Sequence, residues 1–282
     1  MSKNYLSIYA KSFNWAGFFL PKKIYQKCSA LYDFCRSLDD IVDQDLDLNI
    51  KIEQFNEFKD NFLKKNVNHQ VIRSMQELMD SCKISEKIVY DLFDGVESDL
   101  KKEVKTKSKK ELLIYSYRVA GTVGIMMAKI LNVKKENSLK AAIDLGIAMQ
   151  LTNIARDVIE DKKKNRKYID TNFESIQNTL IIADTFYKSS FSSIGDIPLK
   201  CRFAIIVARR VYRQIGFNIL RKRNIENYNK SGKIYVSNLG KFFQTVLSIF
   251  DFLILLIINT KEHGKAAEHK IIKEEINLNE RI

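Results

Sequence analysis

Hydrophobic and polar positions alternate at three- and four-residue steps through most of the chain, which is the spacing of amphipathic helices. The run that follows Leu20-Pro21 shows it most clearly, with apolar side chains at Ile24, Cys28, Leu31, Tyr32, Cys35, Leu38 and Val42. This run predicts a helix over 22–43, and similar runs predict helices over 50–64, 70–81, 85–102, 109–131, 136–161, 173–191, 199–224 and 237–258. The pattern predicts one all-α domain over 1–260 and a charged C-terminal tail over 261–282, which forms a surface helix or frays.

Composition supports a helical fold. The 282 residues are 45% hydrophobic, enough for a full-sized core, and contain only 2 prolines and 10 glycines. A β-sandwich or β-barrel needs far more turn residues. Cys28, Cys35, Cys82 and Cys201 form no CxxC pair and the three histidines lie far apart in sequence, so free thiols and no zinc site are expected.

The charge balance is strongly basic, with 47 Lys and Arg against 34 Asp and Glu. A net charge of +13 is typical of a lysine-rich solvated surface, and it also attracts anionic lipids and anionic substrates. The lysines are scattered and no recognition motif accompanies them, which argues against nucleic acid as a partner.

One apolar stretch, Phe242–Ile258, is of ambiguous placement. It is shorter than the roughly 20 residues of a spanning helix and contains Gln244 and Asp251. The favoured prediction is an internal core helix, and the alternative is a helix on or in a membrane. The N-terminal MSKNYLSIYAKSF lacks the apolar core of a signal peptide.

Two acidic stripes carry the candidate chemistry. Asp39 and Asp43 are four residues apart and share one helical face, and Asn153, Asp157 and Asp161 repeat the pattern over two further turns. Unpaired carboxylates on largely apolar helices are costly, and a bound divalent cation removes that cost. Mg²⁺ prefers such oxygen ligands and commonly bridges carboxylates and substrate phosphates. Arg36, Arg156 and the lysines 162–164 lie next to the stripes and are candidate phosphate ligands.

Three motifs resemble the squalene/phytoene synthase family. They are ALYDFCRSLDDIVD over 30–43 (preceded by Ser12-Phe13 and Leu20-Pro21), YSYRVAGTVG over 115–124 and QLTNIARDVIED over 150–161. Their order and spacing also agree, and the resemblance spans about residues 5–245. It implies the all-helical isoprenoid synthase fold with a central cavity and one aspartate motif on each of two facing helices.

The resemblance also implies residue roles. Asp39, Asp43, Asn153, Asp157 and Asp161 would hold the metal, with Arg36 and Arg156 on a diphosphate. Substrate and cavity positions would be Ser12, Phe13, Tyr32, Tyr115, Val119, Ala120, Gly121, Val123, Gly124, Gln150 and Tyr168. Lys233 falls where the family commonly has arginine, and it keeps the charge without bidentate phosphate contact. Gly121 and Gly124 either allow close helix packing or leave room for a prenyl chain.

The implied reaction is a head-to-head condensation of two prenyl diphosphates through a cyclopropyl diphosphate. YRVAGTVG favours a phytoene synthase acting on geranylgeranyl diphosphate, with Mg²⁺ or Mn²⁺ and without NADPH. A presqualene diphosphate, squalene-type or C30 carotenoid synthase using farnesyl diphosphate stays open, as does a non-catalytic assembly factor that keeps the fold. The expected location is the cytoplasm, with peripheral contact at the inner membrane face, and downstream carotenoid enzymes are the expected partners.

Overall fold

A computed structural model describes residues 11–264 and 266–282 of the protein, with the side chains of 11–13 outside the description. The described helices are α1 (Lys11–Gly17), α2 (Lys22–Asp43), α3 (Leu48–Leu63), α4 (Gln70–Cys82), α5 (Glu86–Glu97), α6 (Lys109–Ser116), α7 (Thr122–Ile130), α8 (Glu136–Lys163), α9 (Phe173–Phe191), α10 (Leu199–Leu220), α11 (Ile225–Lys230), α12 (Asn238–Ile257) and α13 (Ala267–Glu275). Two 3₁₀ turns cover Ser192–Asp196 and Leu278–Glu280. The prediction of an all-α fold is confirmed.

Two short features were not predicted, a π-helical turn and a pair of short strands. The segment 109–131 is broken by a π-helical turn, Tyr117–Gly121, between α6 and α7. Such turns are rare and occur frequently at functional sites. The segment after α5 leaves the helix and forms β1 (Val104–Lys105), which pairs in parallel with β2 (Arg166–Lys167) just beyond α8. This pair fixes the chain that follows α8.

The centre of the fold is α8, which packs against α7, α9 and α10. Its contact with α7 is so close that a Cβ on Gly124 would lie 2.1 Å from the carbonyl oxygen of Ala142. A Cβ on Gly146 would lie 2.1 Å from the carbonyl oxygen of Ala120. Glycine is therefore required on both helices for backbone contact at this crossing.

The helix α12 contradicts the prediction of an internal core helix. Its buried side chains are mostly polar (Lys241, Gln244, Ser248), whereas its large apolar side chains face outward. Among the described residues it is also the one helix whose length and apolar composition suffice to cross a membrane. Hydropathy predicted the presence of the helix correctly. The prediction that its apolar side faces the core was wrong.

The C-terminal segment folds back onto the helical core. The Nε2 atoms of His263 and His269 both lie 2.9 Å from one carboxylate oxygen of Asp144 in α8, and Ser189 donates to the same oxygen. The Nδ1 of His269 accepts from the Ala266 N–H, so its Nε2 carries the proton and donates to Asp144. Burial opposes ionisation of Asp144, but the two histidine hydrogen bonds lower its pKa.

A second contact ties the end of the chain to the π-helical turn. Arg281 forms a bidentate ion pair with Asp91, with Nε–Oδ2 and Nη2–Oδ1 distances of 2.9 and 3.0 Å. Tyr117 donates to the same carboxylate at 2.7 Å. Segment 261–282 therefore contains a helix, and contacts of its histidines and of Arg281 hold the segment against the core. Most of its charged side chains are exposed.

Candidate active site

The two acidic stripes lie at one end of an elongated apolar cavity. Leu31, Leu38 and Val42 turn one face of α2 into the core, so Asp39 and Asp43 occupy a neighbouring face. Asp39 on α2 and Asn153 on α8 line the cavity, which encloses about 1480 Å³, part of it open to solvent. The remaining walls come from α1, the π-helical turn, α7, α9, the 3₁₀ turn that follows it and α10.

Two basic side chains from the segment that follows α8 form ion pairs with the first acidic stripe. Lys164 Nζ lies 3.0 Å from Asp43 Oδ2, and Arg166 Nη1 lies 2.8 Å from Asp43 Oδ1. The turn that brings them there passes through Asn165, whose φ of 56° is left-handed, a conformation that asparagine tolerates well. The pairing of β1 with β2 then holds Arg166 in place.

The carboxylates differ in how readily they ionise. Burial and the neighbouring Asp43 charge raise the pKa of Asp39 to about 7, although its side chain remains accessible through the cavity. Burial and the Asp157 charge likewise raise the pKa of Asp161 to about 7. Burial opposes ionisation of Asp43 too, but Lys164 and Arg166 lower its pKa. The two raised values mark carboxylates that lack enough neighbouring positive charge.

A divalent cation fits this donor set. The Oδ1 atom of Asn153 is buried and accepts no hydrogen bond from the described protein groups, which is costly unless a ligand occupies it. It lies on the same helical face as Asp157 and Asp161, and Asp39 lines the same cavity. Amide and carboxylate oxygens are the ligands that hard divalent cations prefer.

Basic side chains flank the second stripe. Arg156 pairs with Asp157 through two hydrogen bonds of 2.8 and 2.6 Å, and Lys233 lies 3.3 Å from Asp157 and 2.5 Å from Glu160. On the first stripe, Arg36 pairs with Asp40 at 2.6 Å. The structure therefore places Arg36, Arg156 and Lys233 in ion pairs with acidic residues of the two motifs.

Sequence reasoning missed a carboxylate beside the stripes. Asp99 accepts hydrogen bonds from Tyr115 at 2.8 Å and Tyr168 at 2.7 Å, and the two rings stack with centroids 4.6 Å apart. Burial raises the pKa of Asp99, and its charge in turn contributes to the raised pKa values of Asp39 and Asp161. No motif signals Asp99, because its role arises from tertiary proximity.

Two other contributors were also missed. Arg166 pairs with Asp43, as described above. Tyr228 of α11 is buried and donates to the carbonyl oxygens of Ala155 and Arg156, at 3.0 and 2.6 Å. It thus holds α8 at the level of the second stripe. The one sequence signal for this role is the presence of a tyrosine five residues before Lys233.

The remaining predicted residues fall into three groups. The cavity is lined by Tyr32, Val119, Ala120, Val123, Gly124 and Gln150. Tyr115 and Tyr168 contact Asp99 and each other, and Gly121 is buried where a Cβ would lie 2.9 Å from Ile143 Cγ2. The side chains of Ser12 and Phe13 lie outside the described residues. The substrate and metal roles of all these residues stay predictions.

An all-helical fold around an apolar cavity, with two carboxylate stripes at one end, is the architecture of a prenyltransferase-type enzyme. The family model described as squalene/phytoene synthase matches residues 7–173, and the chain belongs to that family. Enzymes of this type condense prenyl diphosphates head to head and typically use a divalent metal ion.

Named relatives are similar over most of their length. A 15-cis-phytoene synthase of Pantoea ananas is 27% identical, covering 76% of this chain and 80% of the relative. A 4,4'-diapophytoene synthase of Staphylococcus haemolyticus is 29% identical, covering 83% and 90%. A crystal structure of a dehydrosqualene synthase in complex with ligand aligns with a TM-score of 0.73 and 29% identity, covering 87% of this chain and 93% of that one.

Proposed function

We propose that the protein is a phytoene synthase, which condenses two geranylgeranyl diphosphates with Mg²⁺ and without NADPH. The observation that carries the proposal is a group of eight small side chains in the lining of the cavity: Gly124, Ala128, Ser138, Ala141, Ala142, Gly146, Ala204 and Ala208. Small residues along a wall leave room for a long hydrocarbon chain, whereas a bulky side chain would end the cavity early.

The dimensions of the cavity support a long substrate. Ser138 and Asn153 both line it and are separated by fifteen residues of one helix, which corresponds to about 22 Å at 1.5 Å per residue. A wall of that length favours a long prenyl chain over a short one.

The chain's own residues account for binding and shielding. Asp39, Asp43, Asn153, Asp157 and Asp161 would hold the metal, which when bound neutralises the charge that develops on departing diphosphate. Arg36, Arg156 and Lys233 would exchange their ion pairs with acidic residues for contacts to diphosphate oxygens.

The apolar walls exclude water from the carbocation that remains after the allylic C–O bond breaks, since water would otherwise trap it. The second substrate's double bond attacks that cation, and proton loss closes the cyclopropane of the intermediate. Loss of the second diphosphate, rearrangement and a further proton loss give phytoene. The Tyr32 ring, which lines the cavity beside Asp39, would stabilise positive charge through its face.

A C30 synthase using farnesyl diphosphate is the second candidate. The similarity to a 4,4'-diapophytoene synthase and to a dehydrosqualene synthase structure favours it, at identities close to those of the phytoene synthases. In either case the hydrocarbon product requires downstream carotenoid enzymes, and we expect them as partners at the cytoplasmic face of the membrane.

Competition between the two substrates tests the proposal. Equal concentrations of geranylgeranyl and farnesyl diphosphate with MgCl₂ should give predominantly C40 product, with kcat/KM at least about tenfold higher for the longer chain. Filling the far end of the cavity with Ala141→Phe or Ser138→Leu should reverse the preference, whereas Ala141→Ser should not. A wild-type preference for farnesyl diphosphate would support the second candidate.

A further inference from the structure

Polar contacts on the inner side of α12 fix the orientation of the helix and leave its apolar side facing outward. Gln244 on its inner side exchanges hydrogen bonds with Arg210 at 3.1 Å and Gln214 at 3.0 Å, and Asp251 pairs with Arg210 at 2.8 Å. Thr245 accepts from the indole of Trp15 at 2.9 Å. These contacts fix the polar side of α12 against α10 and α1, so its apolar side faces outward in the folded protein.

The exposed apolar area on α12 is larger than the apolar patches that monomeric proteins usually expose. Its exposed fractions reach 79% at Leu239, 60% at Phe250 and 84% at Ile257. The complete set of exposed large apolar side chains is Leu239, Phe242, Phe243, Val246, Ile249, Phe250, Leu253, Ile254, Leu256, Ile257 and Ile258. Eleven such side chains, each contributing about 100 Å², amount to roughly 1000 Å², beyond the largest patch of a typical monomer.

The patch continues onto the elements that form the cavity wall. Phe18, 84% exposed after α1, contacts Phe19, which packs on Phe203 of α10, which in turn packs on Phe252 of α12, with centroid distances of 5.6, 5.1 and 6.2 Å. Both α1 and α10 line the cavity on their inner side. The outer apolar face therefore backs directly onto the substrate-cavity wall.

The charges around this face match an anionic surface. Exposed lysines and arginines lie close in sequence to its elements, namely Lys22 and Lys23 after Phe18, Lys200 at the start of α10, Arg221 and Arg223 just after α10 and Lys261 beyond the end of α12. The acidic residue within α12, Asp251, is turned inward to Arg210. The net charge of +13 attracts anionic lipid and opposes pairing with a second copy.

We propose that α12 and Phe18 form a docking face that lies in the surface of an anionic lipid bilayer. The helix lies in the plane of the membrane and does not cross it, because Lys241, Gln244 and Asp251 remain bonded or buried against the protein body. Docking places the α1–α10 wall of the cavity next to the hydrocarbon region.

Vesicle co-sedimentation tests the docking face. Wild-type protein should bind phosphatidylcholine vesicles containing about one-third phosphatidylglycerol, and bind pure phosphatidylcholine more weakly, with the difference reduced at high salt. The double variant Phe242→Glu/Phe250→Glu should partition at least about a hundredfold more weakly, because burial of each ring contributes a factor of roughly ten or more. The matched control Leu63→Glu/Val67→Glu adds the same charge at exposed apolar positions elsewhere and should bind as wild type.

The single tryptophan gives an independent readout of position. Trp15 is bonded to α12, so brominated phosphatidylcholine in the same vesicles should quench its fluorescence in the wild type and in the control. Binding without quenching, or equal binding by the Phe242/Phe250 variant, would overturn the proposal. So would a wild type that ignores vesicles but forms a dimer that this variant abolishes, because the face would then be an interface between copies.

Discussion

Binding of a divalent cation should release protons from the two acidic stripes. Asp39 and Asp161 each have a pKa raised to about 7 by burial and a like-charged neighbour. A cation binds only the ionised carboxylate, so every protonated carboxyl must lose its proton on binding. At pH 7 each group is roughly half protonated, and binding should therefore release about one proton in total.

The number of protons released on cation binding should depend steeply on pH. Proton release should rise to about two at pH 6 and fall to roughly 0.2 at pH 8, with affinity increasing about 100-fold between these values. Because the folded pKa values of Asp39 and Asp161 lie above the ordinary value, the metal-free protein should lose stability as pH rises from about 4 through 7. Solvent in the cavity reduces this loss at Asp39.

Calorimetric titration with MgCl₂ alone, in buffers of different ionisation enthalpy, counts the protons. Thermal unfolding with and without the ion follows the stability. Asp80→Asn removes an exposed carboxylate far from the stripes and should leave the proton count unchanged. A release near zero at pH 7, or an affinity that is the same at pH 6 and pH 8, would contradict the raised pKa values of Asp39 and Asp161.

Three further substitutions have definite expected results. Asp99→Asn removes a charge that raises the pKa of both titrating carboxyls, so proton release at pH 7 should fall below that of the wild type in the same calorimetric assay. Gly124→Ala should destabilise the protein by about 3 kcal/mol in urea unfolding, because its Cβ would lie 2.1 Å from a carbonyl oxygen. Asp144→Ala leaves the buried Nε2 atoms of His263 and His269 without their hydrogen-bond partner, so it should cost about 3 kcal/mol or more and expose the C-terminal segment to limited proteolysis.

Controls make these outcomes decisive. Gly195→Ala places its Cβ 3.4 Å from the carbonyl oxygen of Leu255 and should change stability by less than about 1 kcal/mol. Equal effects at Gly124 and Gly195 would contradict the close helix contact. An Asp144→Ala variant with wild-type stability and protease resistance would show that the histidine contacts do not hold the C-terminal segment.

Periodicity predicted the helices well, because a helix that packs one side on the core needs apolar residues at the helical repeat along its sequence. The prediction 173–191 matches α9 at both ends, and 22–43 matches α2. The π-helical turn at 117–121 carries no distinct hydropathy pattern, and β1 and β2 have two residues each, too few for a period. Neither could be predicted.

The orientation of α12 required tertiary information. Its apolar composition predicts a helix that must be covered, but composition does not distinguish the protein's own core from an external apolar surface. Similarly, the motifs predicted that Asp39 and Asn153 share a cavity, whereas Asp99 and Arg166 belong to no periodic pattern. They reach the site only because β1–β2 pairing and the turn after α8 bring distant segments together.

The most direct test of the proposed function is product analysis of the purified protein with geranylgeranyl diphosphate and MgCl₂, without NADPH. The expected product is a C40 hydrocarbon, phytoene, and Asp39→Asn and Asp157→Asn should abolish it. A protein that yields no hydrocarbon from geranylgeranyl diphosphate would contradict the assignment. Turnover of farnesyl diphosphate would then assign it to the C30 branch, and no turnover of any prenyl diphosphate would indicate a non-catalytic member of the family.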